Sequence, residues 1–345
     1  MASPNPPPAP LDPAFAAAFA REAGPARVLR FDAFMALALY DPTLGYYRRD
    51  RKRVGRDRAA DFYTATSLGP LFGELVAAAC AKLLRDAGLD PAAHTFLEIG
   101  AEPSGGVLAG VPTHPFAAAR TLRVGESLVV QGPCVVFSNE LFDAQPIRRF
   151  VRRASAWHEL GVGLSPDGLA LAEHDLGPAP DDARSFLPPF AATPEGYVFD
   201  APRAAAELAT LLAVQEWQGL FVAFDYGKSF AELGHSVPAG TARAYHQHAQ
   251  HNDLLARPGE QDLTAHVCWD WLRDALASHG CATSTVESQE SFFVHHAGDF
   301  IAEQLARETS PVSPRKRALL HLLHPGQMGQ KFQVLHACKF PTRAS

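Results

Sequence analysis

An α/β fold built on a parallel sheet is the class this sequence predicts. Three short, almost wholly apolar runs carry the prediction: His94–Gly100, Pro133–Asn139 and Leu220–Gly227. Each ends in Gly, Asn or Asp, and helical or mixed patterns lie between them. Strands covered on both faces lose the apolar–polar alternation, and a parallel sheet flanked by helices is where such strands occur. Ligands of such sheets sit beyond the carboxyl ends of the strands, so the polar residues ending the three runs are expected to converge on one rim.

Length and charge bound the rest. The 345 residues suffice for two domains, or one large domain with insertions. At 47% hydrophobic and 20% charged residues the chain is globular rather than disordered. Thirty-one basic against 37 acidic residues leave a net charge of -6, which argues against nucleic-acid or anionic-membrane partners. No apolar run reaches the roughly 18 residues of a membrane span. The first 30 residues show no basic start followed by an apolar block, so no signal peptide is expected. Five scattered cysteines with no C-x-x-C pair predict reduced thiols and a cytoplasmic protein.

In chain order, residues 1–11 are proline-rich and read as a disordered tail. Asp12-Pro13 caps a short helix with Phe15 and Phe19 on one face, stopped by Gly24-Pro25. A second helix runs from about Asp32 to Tyr40, ahead of Pro42. Leu44–Arg58 is the most basic stretch, either a solvated loop or a cover over an anionic ligand. Leu71, Phe72, Leu75, Val76, Ala79, Cys80, Leu83 and Leu84 repeat at helical spacing. Thr121–Val124 is the one plausible strand between the first two apolar runs. Trp157–Asp175 reads as a β-hairpin turning at Pro166-Asp167-Gly168, and Pro202–Trp217 as helix. Asp262 suits the N-cap of a helix reaching His279. Ser291–Val294 and Lys331–Leu335 read as late strands. The predicted organisation is an N-terminal helical and cover region (12–93), a core (94–147 and 218–340) and an inserted hairpin–helix region (148–217).

Four segments could carry chemistry. Phe96–Leu108 is a strand running into a glycine-rich turn and then a helix, which lets backbone approach a nucleotide-like ligand or simply makes a tight turn. Ser138–Pro146 places Asn139, Glu140 and Asp143 after a strand. Such carboxylates can hold a guanidinium, orient an amine or act as a general base, or Asp143 can cap a turn while Glu140 faces water. Asp225-Tyr226-Gly227 ends the third run. Gln261–Val267 is the fourth, read as a helix cap. No metal ligands are predicted: His246, His248, His251, His295 and His296 form no two-His helical motif and no carboxylate triad. Neither a G-x-S-x-G elbow nor a G-x-x-x-x-G-K loop is present.

Taken together the pieces resemble the MidA-type methyltransferases, the group that includes the mitochondrial complex I assembly methyltransferase. The likeness runs from about Phe31 to Val334. It rests on Leu39-Tyr40-Asp41-Pro42 with Gly45-Tyr46-Tyr47, Asp61-Phe62-Tyr63-Thr64, Leu71-Phe72-Gly73-Glu74, Glu98-Ile99-Gly100, Asn139–Ala144 with Pro146, Asp225-Tyr226-Gly227, Gly240-Thr241 with Arg243 and Tyr245, Gln261–Val267, and Met328-Gly329 with Phe332.

The resemblance implies a class I methyltransferase (Rossmann-like) sheet with N-terminal helical additions and the inserted region, using S-adenosylmethionine on an arginine side chain of a protein, with a respiratory-complex subunit as the class of acceptor it suggests. Glu98, Gly100 and Gly105 would lie at the cofactor, with Asp61 and Thr64 in a segment closing over the cleft. Asn139, Glu140 and Asp143 would sit where the methyl group meets its acceptor. Two departures stand out. The family's G-x-G-x-G loop reads Gly100–Gly106 with Glu102 at the middle glycine. Gly100 and Pro133 stand only 33 positions apart, room for one β-α-β unit of about 30 residues where the family fits two further strands. Glu126 is the candidate replacement for the family's ribose-binding acid. An active enzyme with a shortened cofactor half and a degenerate binding or assembly module are both open on these residues.

Overall fold

The computed structural model describes residues 10–48, 69–103, 105–247, 249–308, 310 and 313–340. Its contacts divide the chain into two units. One comprises Met1–Arg51, Ala144–Ala205 and Lys228–His266; the other comprises Lys52–Asp143, Ala206–Gly227 and Val267–Ser345. The boundaries assign Lys228–His266 to the same unit as the inserted region, which a core spanning 218–340 does not anticipate.

Along the chain come α1 (Pro13–Ala23), β1 (Val28–Arg30) and α2 (Phe31–Tyr40), then α3 (Pro70–Asp86), β2 (Thr95–Ile99), β3 (Ala118–Leu122) and β4 (Gly132–Asn139). Four strands follow: β5 (Arg148–Arg153), β6 (Ala156–Leu164), β7 (Leu171–Pro178) and β8 (Val198–Ala201). Next are α4 (Arg203–Ala213), β9 (Trp217–Asp225), β10 (Gly227–Lys228), α5 (Phe230–His235), β11 (Arg243–His246), β12 (Ala249–His251) and β13 (Asp262–Thr264). The chain closes with β14 (Val267–Cys268), α6 (Trp269–Ala277), β15 (Thr285–Ser288), α7 (Gln289–Arg307), α8 (Pro314–Leu323) and β16 (Gln333–Lys339).

In the first unit α1 starts as its residues dictate. Asp12 accepts the Ala14 amide, Pro13 takes the first helical position, and Phe15, Ala18 and Phe19 are buried. The antiparallel sheet runs β1-β6-β5-β8 with β7 on β6. The β6–β7 hairpin turns where expected, the Asp167 carboxylate accepting the Leu169 amide at 3.0 Å. A three-stranded sheet, β12-β11-β13, accompanies it.

The second unit holds a six-stranded sheet of order β15-β16-β9-β4-β2-β3. The strands β3, β2, β4 and β9 are parallel, and β16 and β15 complete the sheet antiparallel. One strand, β3, lies beyond β2, as the 33-position gap predicts. It forms at Ala118–Leu122, a few residues before the expected Thr121–Val124, and its edge side chains are largely exposed. The core on one face is aromatic: Phe72 of α3 meets Phe224 edge-on at 5.5 Å and Phe293 at 5.9 Å, beside Phe96 and Phe137. Each such ring contributes about 1.5–3 kcal/mol by burial.

Three expectations are corrected. Ser291–Val294 is not a strand but the first turns of α7, because Ser288 caps it by accepting the Ser291 amide at 3.1 Å. A four-residue apolar run cannot by itself distinguish the two forms. Asp262 does not cap a helix: it lies in β13, paired with Tyr245, and its carboxylate accepts the Tyr47 hydroxyl at 2.9 Å. The helix there starts at Trp269. Among the described residues no helix follows the glycine turn after β2. Residues 101–117 carry Pro103, Pro112 and Pro115 and run through turns to β3, since proline both lacks a donor and restrains the residue before it.

Candidate functional site

The rim forms from register. Ile99 pairs with Ser138 and Asn139 with Phe224, so the chain leaves β2, β4 and β9 at one level, at Gly100, Glu140 and Asp225. Gly100 has φ +81°, and its amide and that of Ala101 both donate to the Leu122 carbonyl, at 2.9 and 3.1 Å. A Cβ on Gly100 would stand 2.8 Å from Leu141 Cδ1, so the glycine turn abuts the segment after β4.

Below the turn, Glu98 is buried and its carboxylate accepts the Val107 amide at 2.5 Å. Burial pushes Glu98 up to about 7, the amide bond opposes the shift, and the nearby Glu102 charge adds to it. Gly106 lies against the same oxygen, where a Cβ would stand 2.3 Å from Oε2. Gly105 has φ +120° and its amide donates to the Glu102 carbonyl. From the helix side Gly73 of α3 meets this loop: a Cβ there would be 2.2 Å from the Val107 carbonyl oxygen. Glu126 is exposed and accepts the Arg123 amide at 2.8 Å, closing the turn after β3, while Arg123 reaches the Pro103 carbonyl.

At the end of β4 the Asn139 amide nitrogen donates to Glu140 Oε1 at 3.1 Å, and Asn139 Oδ1 is buried without a partner among the described residues. Glu140 is held at φ +53° while its amide donates to the Phe224 carbonyl. A non-glycine residue there is strained, a feature that clusters at ligand sites. Asp143 is buried. Its amide and that of Phe142 donate to Asp225 Oδ2, at 3.3 and 2.8 Å, while Tyr226 donates to Oδ1. Asp225 is fully buried, and burial raises its pKa despite these amides. It braces the segment carrying Asn139, Glu140 and Asp143, a role that strand-end Asp-x-Gly pattern alone did not separate from a turn.

The sequence-predicted residues thus fall into three local groups. Asn139 bonds Glu140, Asp143 is tied to Asp225, and Glu98 holds the loop that carries Gly100 and Gly105. Glu126 stands on the β3 turn. Asp61 and Thr64, with residues 49–58 of the basic stretch and its cover role, lie outside the described residues. Sequence reasoning singled out Asp225 as a strand-end carboxylate and quoted Gly73 and Gly106 within Leu71–Glu74 and Gly100–Gly106, but it missed the bracing role of all three.

Comparison with known proteins bears on this arrangement. Residues 122–286 match the profile of a family described as "Putative S-adenosyl-L-methionine-dependent methyltransferase". A Burkholderia thailandensis protein crystallised with S-adenosyl-homocysteine superposes with a TM-score of 0.79 at 26% identity, covering 94% of this chain and 92% of that one. The chain is similar to the MidA-type methyltransferases in sequence and in fold. Its fold is that of the class I methyltransferases. A second, native structure of a Burkholderia thailandensis protein matches with a TM-score of 0.75 at 24% identity, covering 94% of this chain and 91% of the other. Among curated relatives, "Protein arginine methyltransferase NDUFAF7, mitochondrial" of Rattus norvegicus is 26% identical over 211 residues, 59% of this chain and 45% of the relative. The Danio rerio protein of the same name is 24% identical over 369 residues, 90% of this chain and 84% of the relative. The chain spans about half the length of the first curated relatives it matches.

The expectation of a cytoplasmic protein is overturned by these relatives, which are mitochondrial by name. Free thiols report a reducing environment, not which compartment supplies it, so the five unpaired cysteines could not decide the point. Among the described residues no helix is long and apolar enough to cross a membrane.

Proposed function

We propose that this chain is an S-adenosylmethionine-dependent methyltransferase acting on an arginine side chain of a protein. The single observation that carries the reading is the rim: the turn after β2 abuts the Asn139–Asp143 segment, which Asp225 fixes from β9. The residues present suit the cofactor. Asn139 Oδ1 is a buried acceptor in want of a donor, and Gly100 leaves backbone open to close approach. Gly100, Gly105 and Asn139 would hold it, and Glu98 keeps their loop in place. Asp61, Thr64 and Glu126 are proposed to complete that site.

When bound, the cofactor supplies a sulfonium methyl group for in-line displacement, a reaction governed by alignment. The acceptor arginine is cationic and planar, and paired carboxylates suit it. Glu140 and Asp143 hold the guanidinium in this reading, Glu140 takes the proton released from the attacking nitrogen, and Asn139 fixes Glu140 by the bond already present. A respiratory-complex subunit is the proposed class of acceptor, on family grounds.

A second reading, a binding or assembly module that has lost the cofactor, is favoured by one group of observations. Among the described residues no helix N-terminus follows the glycine turn, and Glu126 is engaged by its own turn. Methyl transfer separates the two. Incubated with S-adenosylmethionine and mitochondrial protein extract, the wild-type chain is expected to produce methylarginine detectable by mass spectrometry. Glu140→Gln is expected to bind the cofactor and transfer nothing. Cofactor binding without methylarginine would sink the arginine assignment, and equal transfer by the variant would remove Glu140 from the chemistry.

A further inference from the structure

We infer that Glu287, His296 and His336 form a binding site for a divalent transition-metal ion, of the kind zinc fills, at the β15–β16 edge of the six-stranded sheet. The site is separate from the proposed methyl-transfer rim and does not depend on it.

Three elements assemble it. Thr285 of β15 pairs with His336 of β16, so Glu287, two residues on, shares the face that His336 occupies. The chain then turns straight into α7, which brings His296 onto the same carboxylate. Glu287 Oε1 lies 3.0 Å from His296 Nε2 and 3.2 Å from His336 Nε2. The three ligand atoms are all within 4.8 Å of one another. Tetrahedral zinc with bonds of about 2.0–2.1 Å spaces its ligand atoms about 3.3 Å apart, so two of the three edges already have that length. The imidazoles cross at 73° with centroids 5.2 Å apart.

The surroundings are those of a built site. Glu287 Oε2 accepts the Ser291 hydroxyl at 2.9 Å and lies 2.8 Å from His295 Nδ1, which leaves Oε1 to the two ring nitrogens. Groups that orient a ligating carboxylate in this way tighten metal sites. The three ligand side chains are only 12–17% exposed, and Phe292 packs on both imidazoles. Directly after His296, α7 breaks its helical geometry at Ala297 (φ -126°, ψ 17°). Such irregularities recur where a side chain must be aimed.

Two histidines and one carboxylate leave a fourth position for water. His296 Nδ1 is buried without a partner among the described residues, and with that outer bond unmade affinity is expected about 10- to 100-fold below a fully braced site. Bound metal would pin α7 to the sheet edge. The sequence hid the set because its members are spread over 50 positions rather than along one helix.

The test uses the full chain, stripped with chelator and titrated with zinc chloride by calorimetry and with cobalt(II) by visible absorption. One equivalent of zinc, cobalt d–d bands of a low-coordinate site and a zinc-dependent rise in Tm are expected. His336→Asn and Glu287→Gln should each abolish the bands with unchanged circular dichroism, whereas His158→Gln, in the other unit, should keep them. If either variant misfolds, His296→Gln gives the same reading. Absence of stoichiometric zinc binding by the wild-type chain, or cobalt bands that survive in folded Glu287→Gln, would overturn the assignment.

Discussion

Glu98 shows how one buried carboxylate shapes both loop and pH response. Below pH 4.5 the folded and unfolded chains both hold its proton. As pH rises toward 7 the unfolded carboxyl ionises freely while the folded one resists, so stability is lost across that window, on the order of 3 kcal/mol. His266 acts in the opposite sense. Burial and the charges of Lys228 and Arg243 lower it to about 4, so its contribution is lost as pH falls from 6.5 toward 4. The informative quantity is therefore a difference: Glu98→Gln should lose the Glu98 slope in a plot of Tm against pH from 4.5 to 7. An unchanged slope would contradict the assignment. In the first unit, Asp200 accepts Arg149 at 2.6 Å and the amides of Thr241 and Ala242 at 2.6 and 2.8 Å. Asp200→Ala leaves a guanidinium poorly paired and should cost about 3–5 kcal/mol, read by urea unfolding. A loss under 1 kcal/mol would contradict it. Asn139 and Glu140 could be singled out from sequence because polar residues at the end of an apolar strand are conspicuous. Asp200 could not, because its partners stand about 40–50 positions away.

At the scale of elements, the sheet strands His94–Gly100, Pro133–Asn139 and Leu220–Gly227 were legible, since continuous apolar runs have one common cause. The turns were not. Gln261–Val267 offered a good cap residue and an apolar periodicity, yet pairing with β11 claimed Asp262 for a strand. The loop between β2 and β3 is set by a contact that no local pattern announces, the approach of Gly73 to Val107. Gly73→Ala should displace that loop, costing about 1–3 kcal/mol in stability and weakening cofactor binding more than a control such as Ala78→Ser in the same helix. Equal binding in both variants would contradict the packing argument. The missing helix after Gly106 follows from three prolines in 17 residues, a signal present in the sequence and outweighed by the glycine-turn reading.

For the whole molecule, the family likeness gave the class I sheet, and the 33-position spacing gave its departure from the family, a single strand beyond β2. What chain length alone could not show was which segments fold together, because unit boundaries depend on contacts between residues far apart in sequence. A sheet shortened on its cofactor side makes one question central, whether the rim at Gly100 and Asn139 still takes the sulfonium donor. Calorimetric titration of the full chain with S-adenosylmethionine answers it most directly. Saturable, stoichiometric heat and a matching rise in Tm are expected; no heat and no thermal shift, even at millimolar ligand, would contradict a cofactor site at this rim.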